Sequence, residues 1–142
     1  MVRLLPPLCW TGLIAWLGSG YWSGAHTSTW LYPTLRAIFP RASPAQIETI
    51  HFFIRKAAHV LEYAVLSGLW RRALGGWRVP LLLCLLTATL DEVRQTVTPG
   101  RSGALADVLL DGAAAAVVLM TYWPPRFGRG APSCAPPRPG QA

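Results

Sequence analysis

Acidic residues are scarce in this chain, six in 142, and charged residues of all kinds make up 13% against 52% hydrophobic. An average soluble domain carries about 25% charged residues. The deficit, with a mean hydropathy of +0.34, argues against an ordinary soluble domain and predicts a small integral membrane protein. Cysteines are few as well. Cys9, Cys84 and Cys134 are too scattered for a disulfide framework, and neither a metal nor a redox cofactor is expected of them. The basic residues give a net charge of +7, but the arginines flank apolar runs instead of forming one stripe with interleaved aromatics. That distribution excludes a nucleic-acid partner. No internal repeat and no second domain is visible.

Four apolar stretches are present, residues 4–20, 50–70, 79–98 and 103–122, each near the roughly 17 to 25 residues needed to cross a bilayer. The predicted fold class is therefore all-α, an integral membrane bundle of four transmembrane helices occupying residues 1–122. Residues 123–142, rich in proline and arginine, read as a disordered cytoplasmic tail. The first stretch is short and interrupted by Pro6 and Pro7. Arg3 ahead of it could open a secretory signal, but no convincing small-residue cleavage site follows, so a retained anchor is expected. Residues 21–41 read as the one long loop, with Trp22, Trp30 and Tyr32 suited to a headgroup region. Ser43-Pro44-Ala45-Gln46 has the pattern of a capping box opening the next helix.

Counting basic residues orients the chain. With the N-terminus inside, Arg3, Arg71, Arg72, Arg78, Arg126, Arg129 and Arg138 are cytoplasmic. Of the six on the other side, Arg55, Lys56, Arg94 and Arg101 lie close to acids and only Arg36 and Arg41 are free loop charges. The positive-inside rule then places both termini in the cytoplasm of a plasma (inner) membrane.

The acids are the best functional clue. Glu62, Asp91, Glu92, Asp107 and Asp111 lie in or at the ends of the apolar stretches, where an ionisable side chain costs roughly 2.5 to 3.5 kcal/mol unless it is paired, hydrated or functional. Antiparallel spans bring the first half of the second and fourth stretches and the last half of the third to one side. The ionisable groups therefore converge into a polar cup. Helical spacing agrees: Arg55, His59 and Glu62 are four and three apart, Asp91 and Gln95 four apart, Asp107 and Asp111 four apart. Two readings compete for each residue. His59-x-x-Glu62 could join a metal site with Asp91 or Asp107, but a histidine hydrogen-bonded to a carboxylate is the commoner outcome. The carboxylates could act as general acid and base, or form a self-paired network with Arg55, Lys56, Arg94 and Arg101. Arg101, after the Pro99-Gly100 turn, could hold phosphate or carboxylate bidentately, or pair with Asp107.

The ordered set Lys56-Ala57-Ala58-His59-Val60-Leu61-Glu62-Tyr63, Asp91-Glu92-Val93-Arg94-Gln95, Pro99-Gly100-Arg101 and Asp107-Val108-Leu109-Leu110-Asp111-Gly112 resembles the VanZ-like membrane family. That family is named for a protein associated with teicoplanin resistance. Two positions depart from its pattern: Asp111 stands where the family usually has Asn, and a glycine near Ala116 is missing. The resemblance implies a bacterial cell-envelope protein and brings no established reaction with it. A non-enzymatic role is favoured, binding or shielding an envelope ligand such as a lipid-linked precursor or a glycopeptide, with membrane lipid around it. The candidate cup residues are Lys56, His59, Glu62, Asp91, Glu92, Gln95, Arg101, Asp107 and Asp111. The alternative is a membrane-embedded enzyme or proton-coupled carrier acting on a lipid through the His/carboxylate cluster.

Overall fold

A computed structural model describes residues 2–19, 24–97 and 104–121, with the side chains of 24–26 left aside. Among the described residues every regular element is helical: a 3-10 turn over Val2–Leu4, then α1 (Leu5–Leu17), α2 (Gly24–Ile38), α3 (Pro44–Leu74), α4 (Arg78–Thr96) and α5 (Leu105–Thr121). The class is all-α. None of these helices is long and apolar enough to cross a membrane. The reasons differ. α1 has 13 residues and α5 has 17, the latter about 25 Å at 1.5 Å per residue. α3 and α4 have the length, 31 and 19 residues, but carry charged side chains within it.

Local sequence explains the helix ends. Prolines occupy the first turn of α1, where the missing N–H has no intrahelical acceptor to serve and the fixed φ suits a helix. Pro6 and Pro7 therefore open α1 and do not interrupt it. At α3 both halves of the capping box form: the Gln46 backbone N–H donates to Ser43 Oγ at 3.3 Å, and the Ser43 N–H donates to Gln46 Oε1 at 2.8 Å. Two orphan donors are thereby satisfied. α3 ends at Gly75 and Gly76, with φ of 68° and 63°, a left-handed region that glycine enters at little cost. Arg71 donates to the Gly76 carbonyl at 2.7 Å and closes the turn into α4.

The loop expected over residues 21–41 is largely a helix. α2 persists through Pro33 because tertiary packing outweighs propensity: it packs on α3 and buries Leu35. Thr34 Oγ1 also donates to the Trp30 carbonyl at 2.8 Å within the turn that Pro33 weakens. The expected tail over 123–142 lies outside the described residues.

α3 is the central element, packing on α1, α2, α4 and α5, while α4 also packs on α5. Their shared core is Ile14, Tyr63, Leu66, Trp70, Cys84, Ala88 and Ala115, flanked by Trp10, Leu81, Leu83 and Val108. Small residues set the helix separations. Gly112 is buried, and a Cβ there would fall 2.7 Å from Leu85 Cδ2. Of the run 113–116, only Ala115 is fully buried and Ala113 is exposed, so close approach rests on Gly112 and Ala115. Trp10 ties α1 to α3 by donating from Nε1 to the Glu62 carbonyl at 3.0 Å.

Candidate functional site

Polar side chains gather where the first half of α3, the last turns of α4 and the first turns of α5 meet. Lys56 of α3 forms a salt bridge with Asp107 of α5, and the same Nζ lies 5.3 Å above the centre of the Phe52 ring. One turn deeper, His59 Nδ1 stands 3.8 Å from Asp111 Oδ2. That separation is electrostatic contact without a hydrogen bond. Glu92 of α4 accepts from the Ala104 backbone N–H at 2.7 Å, which fixes the start of α5 against the end of α4.

Asp91 anchors a second cluster. Its Oδ1 accepts from Arg94 Nη2 at 2.5 Å and its Oδ2 accepts from Gln95 Nε2 at 2.7 Å. Arg94 also donates to the carbonyl of Ala15, one of the last-turn carbonyls that α1 leaves without an intrahelical donor. A guanidinium from α4 thus caps the negative end of α1. Gly18 makes the approach feasible. A Cβ on it would sit 2.9 Å from Asp91 Oδ2 and closer still to Arg94 Nη2 and Asp91 Oδ1.

These elements enclose a hollow of about 440 Å³ lined by Tyr32, Glu48, His51, Phe52, Arg55, Lys56, His59, Gln95, Ala104 and Asp107. A smaller one of about 190 Å³ adjoins it, sharing His51, Arg55 and His59 and reaching Glu62, Asp91 and Gly18. A further hollow, about 630 Å³ at the α2–α3 turn around Phe39, Pro40 and Gln46, is lined by no cluster of ionisable groups, so chemistry favours the other two.

The nine candidates from the sequence fall into three positions and one gap. Lys56, His59, Gln95 and Asp107 line the main hollow, and Glu62 and Asp91 line its neighbour. Glu92 and Asp111 are buried at 6% and 1% exposure, outside the lining of either hollow. Arg101 lies outside the described residues, as does its Pro99-Gly100 turn. Six buried polar atoms have no hydrogen-bond partner among the described residues: His51 Nε2, His59 Nδ1, Tyr63 Oη, Glu92 Oε1 and Asp111 Oδ1, and, further along α3, Trp70 Nε1. An unsatisfied buried polar group costs about 1 to 3 kcal/mol, so the gathering of the titratable ones near one end makes that end the functional candidate. Among the described residues, no group of three or more His, Cys, Asp or Glu is arranged to hold a metal ion. His59 faces Asp111 across helices, and its spacing to Glu62 gathers no third ligand.

Sequence reasoning passed over His51 and Glu48 and gave Tyr32 only a headgroup role. His51 is 7% exposed, and its ring meets Tyr32 edge-on at 5.3 Å between centroids. Tyr32 therefore packs against His51 beside the hollow, a neighbour that the headgroup reading of its loop did not supply. The missing signal was a longer periodicity: residues 48, 51, 55, 59 and 62 step along α3 by three and four, one continuous stripe that begins before the apolar stretch.

A family model described as VanZ/LLP1 matches residues 8–127. The chain belongs to the VanZ/LLP1 family. The matched region includes all of α2 to α5 and most of α1, so both hollows lie within the matched residues. No curated protein and no solved structure matches the chain.

Proposed function

We propose that this VanZ/LLP1 family member is a membrane-embedded helical bundle of the bacterial cell envelope. It binds or shields an envelope ligand in the hollow between α3, α4 and α5, without catalysis, and lowers susceptibility to glycopeptide antibiotics. The observation that carries this reading is an inversion of polarity. Asp91, Glu92, Gln95, Asp111 and His51 are buried, whereas the flanks are apolar and exposed. Leu82, Leu86, Leu90 and Val93 run down α4 four, four and three residues apart, and Leu105, Leu109, Val117 and Met120 run down α5, all more than half exposed. In water such stripes would be an aggregation liability. Against lipid they are the expected surface.

Hydropathy of single helices understates this fit. Part of the charge that disqualifies α3 and α4 in isolation is paired, Lys56 with Asp107 across helices and Asp91 with Arg94 within α4, and paired charges facing a bundle interior are tolerated where lone ones are not. The two shorter helices are accommodated by local thinning of the bilayer or by anchoring residues at their ends. α1, α3, α4 and α5 then cross, α2 rests at the hollow's end, and Arg71, Arg72 and Arg78 at the opposite turn face the cytoplasm with both termini.

Expression in a glycopeptide-susceptible bacterium tests this reading. The chain is expected to raise the inhibitory concentration of teicoplanin, and Arg55→Ala or His59→Ala is expected to abolish the gain while the protein still inserts. Unchanged susceptibility on expression of the intact chain would refute it. Turnover of a polyprenyl or phospholipid substrate by the purified protein, lost in Asp91→Asn, would replace binding with catalysis.

A further inference from the structure

Among the described residues, two charges in the main hollow have no ion pair. Lys56 is committed to Asp107, whereas Arg55 and Glu48, which line the same hollow, make no hydrogen bond or salt bridge among the described residues. They stand seven residues apart on α3, about 10 Å along the axis, too far along one helix for the usual i,i+3 or i,i+4 pairing. Between them lies His51, buried and with its Nε2 unpartnered. A cation and an anion that line one cavity without a partner among the described residues, with an unsatisfied imidazole nitrogen between them along the helix, complement a ligand that itself carries both charges.

We propose, resting on the binding role above, that the hollow takes a short zwitterion bearing an oxyanion and a primary ammonium, of the phosphoethanolamine class. The planar guanidinium of Arg55 pairs with the oxyanion through two parallel N–H donors. His51 Nε2 supplies a hydrogen bond to a third phosphoryl oxygen, and Glu48 accepts from the ammonium N–H groups. A purely anionic ligand would leave Glu48 opposing it, and a purely cationic one would oppose Arg55. Quaternary ammonium is disfavoured because such groups are held by open aromatic faces. Here Lys56 already covers Phe52, and Tyr32 is packed edge-on against His51.

Phosphoethanolamine can reach the site as a lipid headgroup or as a free solute, and two measurements separate these sources. With the full-length protein purified in detergent, titration of O-phosphoethanolamine is expected to show saturable binding, tighter than inorganic phosphate or phosphocholine. Arg55→Gln and Glu48→Gln are each expected to weaken it about tenfold or more, as loss of a charge-assisted hydrogen bond implies, while Glu48→Gln leaves phosphate binding unchanged. Arg55→Lys, which keeps the charge but not the fork, retains part of the affinity and controls for folding. In nanodiscs, selective retention of phosphatidylethanolamine over phosphatidylglycerol and phosphatidylcholine identifies a lipid source, and solute binding without lipid selectivity identifies a free one. Absence of both, or indifference of both to Glu48→Gln, overturns the proposal. If teicoplanin protection still depends on Arg55 in that event, only the ligand class falls and the binding role stands.

Discussion

Gly18→Ala is the sharpest test of how α1 is held to the bundle. Gly18 has φ of −72° and ψ of −3°, a conformation open to any residue, so its backbone does not require glycine. Space does. An added Cβ would overlap the Arg94 guanidinium and both Asp91 carboxylate oxygens; the Arg94 side chain, 36% exposed, can swing aside only by leaving its partners, and Asp91 has little room to retreat. Asp91 is 7% exposed and Gln95 is 3% exposed, and Asp91 is bonded by Arg94 on one oxygen and Gln95 on the other. Displacing the pair also pulls Arg94 from the Ala15 carbonyl, returning an orphan acceptor to the end of α1. Overpacking of this kind typically costs about 1 to 3 kcal/mol.

Thermal or denaturant unfolding of the detergent-solubilised protein would register a loss of that size. A double-mutant cycle identifies its cause, because Cβ has less to strike once the pair is trimmed. The cost of Gly18→Ala is expected to shrink by at least about 1 kcal/mol in an Arg94→Ala, Asp91→Ala background, within the range seen for directly contacting residues. Gly18→Ala tolerated within about 0.5 kcal/mol, the usual range for an uninvolved position, would refute the clamp. So would an equal cost in both backgrounds.

Two further substitutions probe the buried polar atoms. Tyr63→Phe removes a hydroxyl that is fully buried and unpartnered among the described residues, so unfolding measurements are expected to find it neutral or stabilising by up to about 1 to 3 kcal/mol; a clear loss would mean that the hydroxyl is bonded in the native state. Asp111→Asn, which restores the residue usual in the family pattern, is expected to stabilise by removing a charge from a site 1% exposed that lacks a hydrogen bond on Oδ1, and a destabilisation above about 1 kcal/mol would show that the contact with His59 is a functioning ion pair.

Helix identity was legible in the sequence where one residue type governs the outcome. Ser43 and Gln46 announce the start of α3 because a capping box is local; its end lay beyond the apolar stretch that closes at residue 70, at Gly75-Gly76, where positive φ favours glycine. The convergence of Lys56, His59, Glu92, Asp107 and Asp111 was legible because antiparallel helices bring equal depths together regardless of packing detail. α2 was not, since Pro33 and the neighbouring polar residues weaken its intrinsic propensity and its packing on α3 compensates. The partners within the polar end were equally hidden. Spacing placed Arg94 near an acid but could not show that its other contact is the carbonyl of Ala15, which depends on how α1 lies across α4.

His51 shows why the extent of the site escaped a search based on apolar stretches. Such a search assigns interest to an ionisable residue by its depth in a hydrophobic run, and His51 lies at the edge of one, beside Phe52 and Phe53. Burial there comes from elsewhere: α2 folds over the start of α3 and sets Tyr32 against the imidazole ring. Once α2 is a helix, the polar stripe of α3, Arg55, His59 and Glu62 in the sequence reading, gains about two turns, back through His51 to Glu48. That extension changes what the hollow selects. Lys56 and Asp107 alone would neutralise each other and offer a ligand little, whereas Arg55 and Glu48 bring two uncommitted charges of opposite sign, and the helix read as a loop is what encloses them.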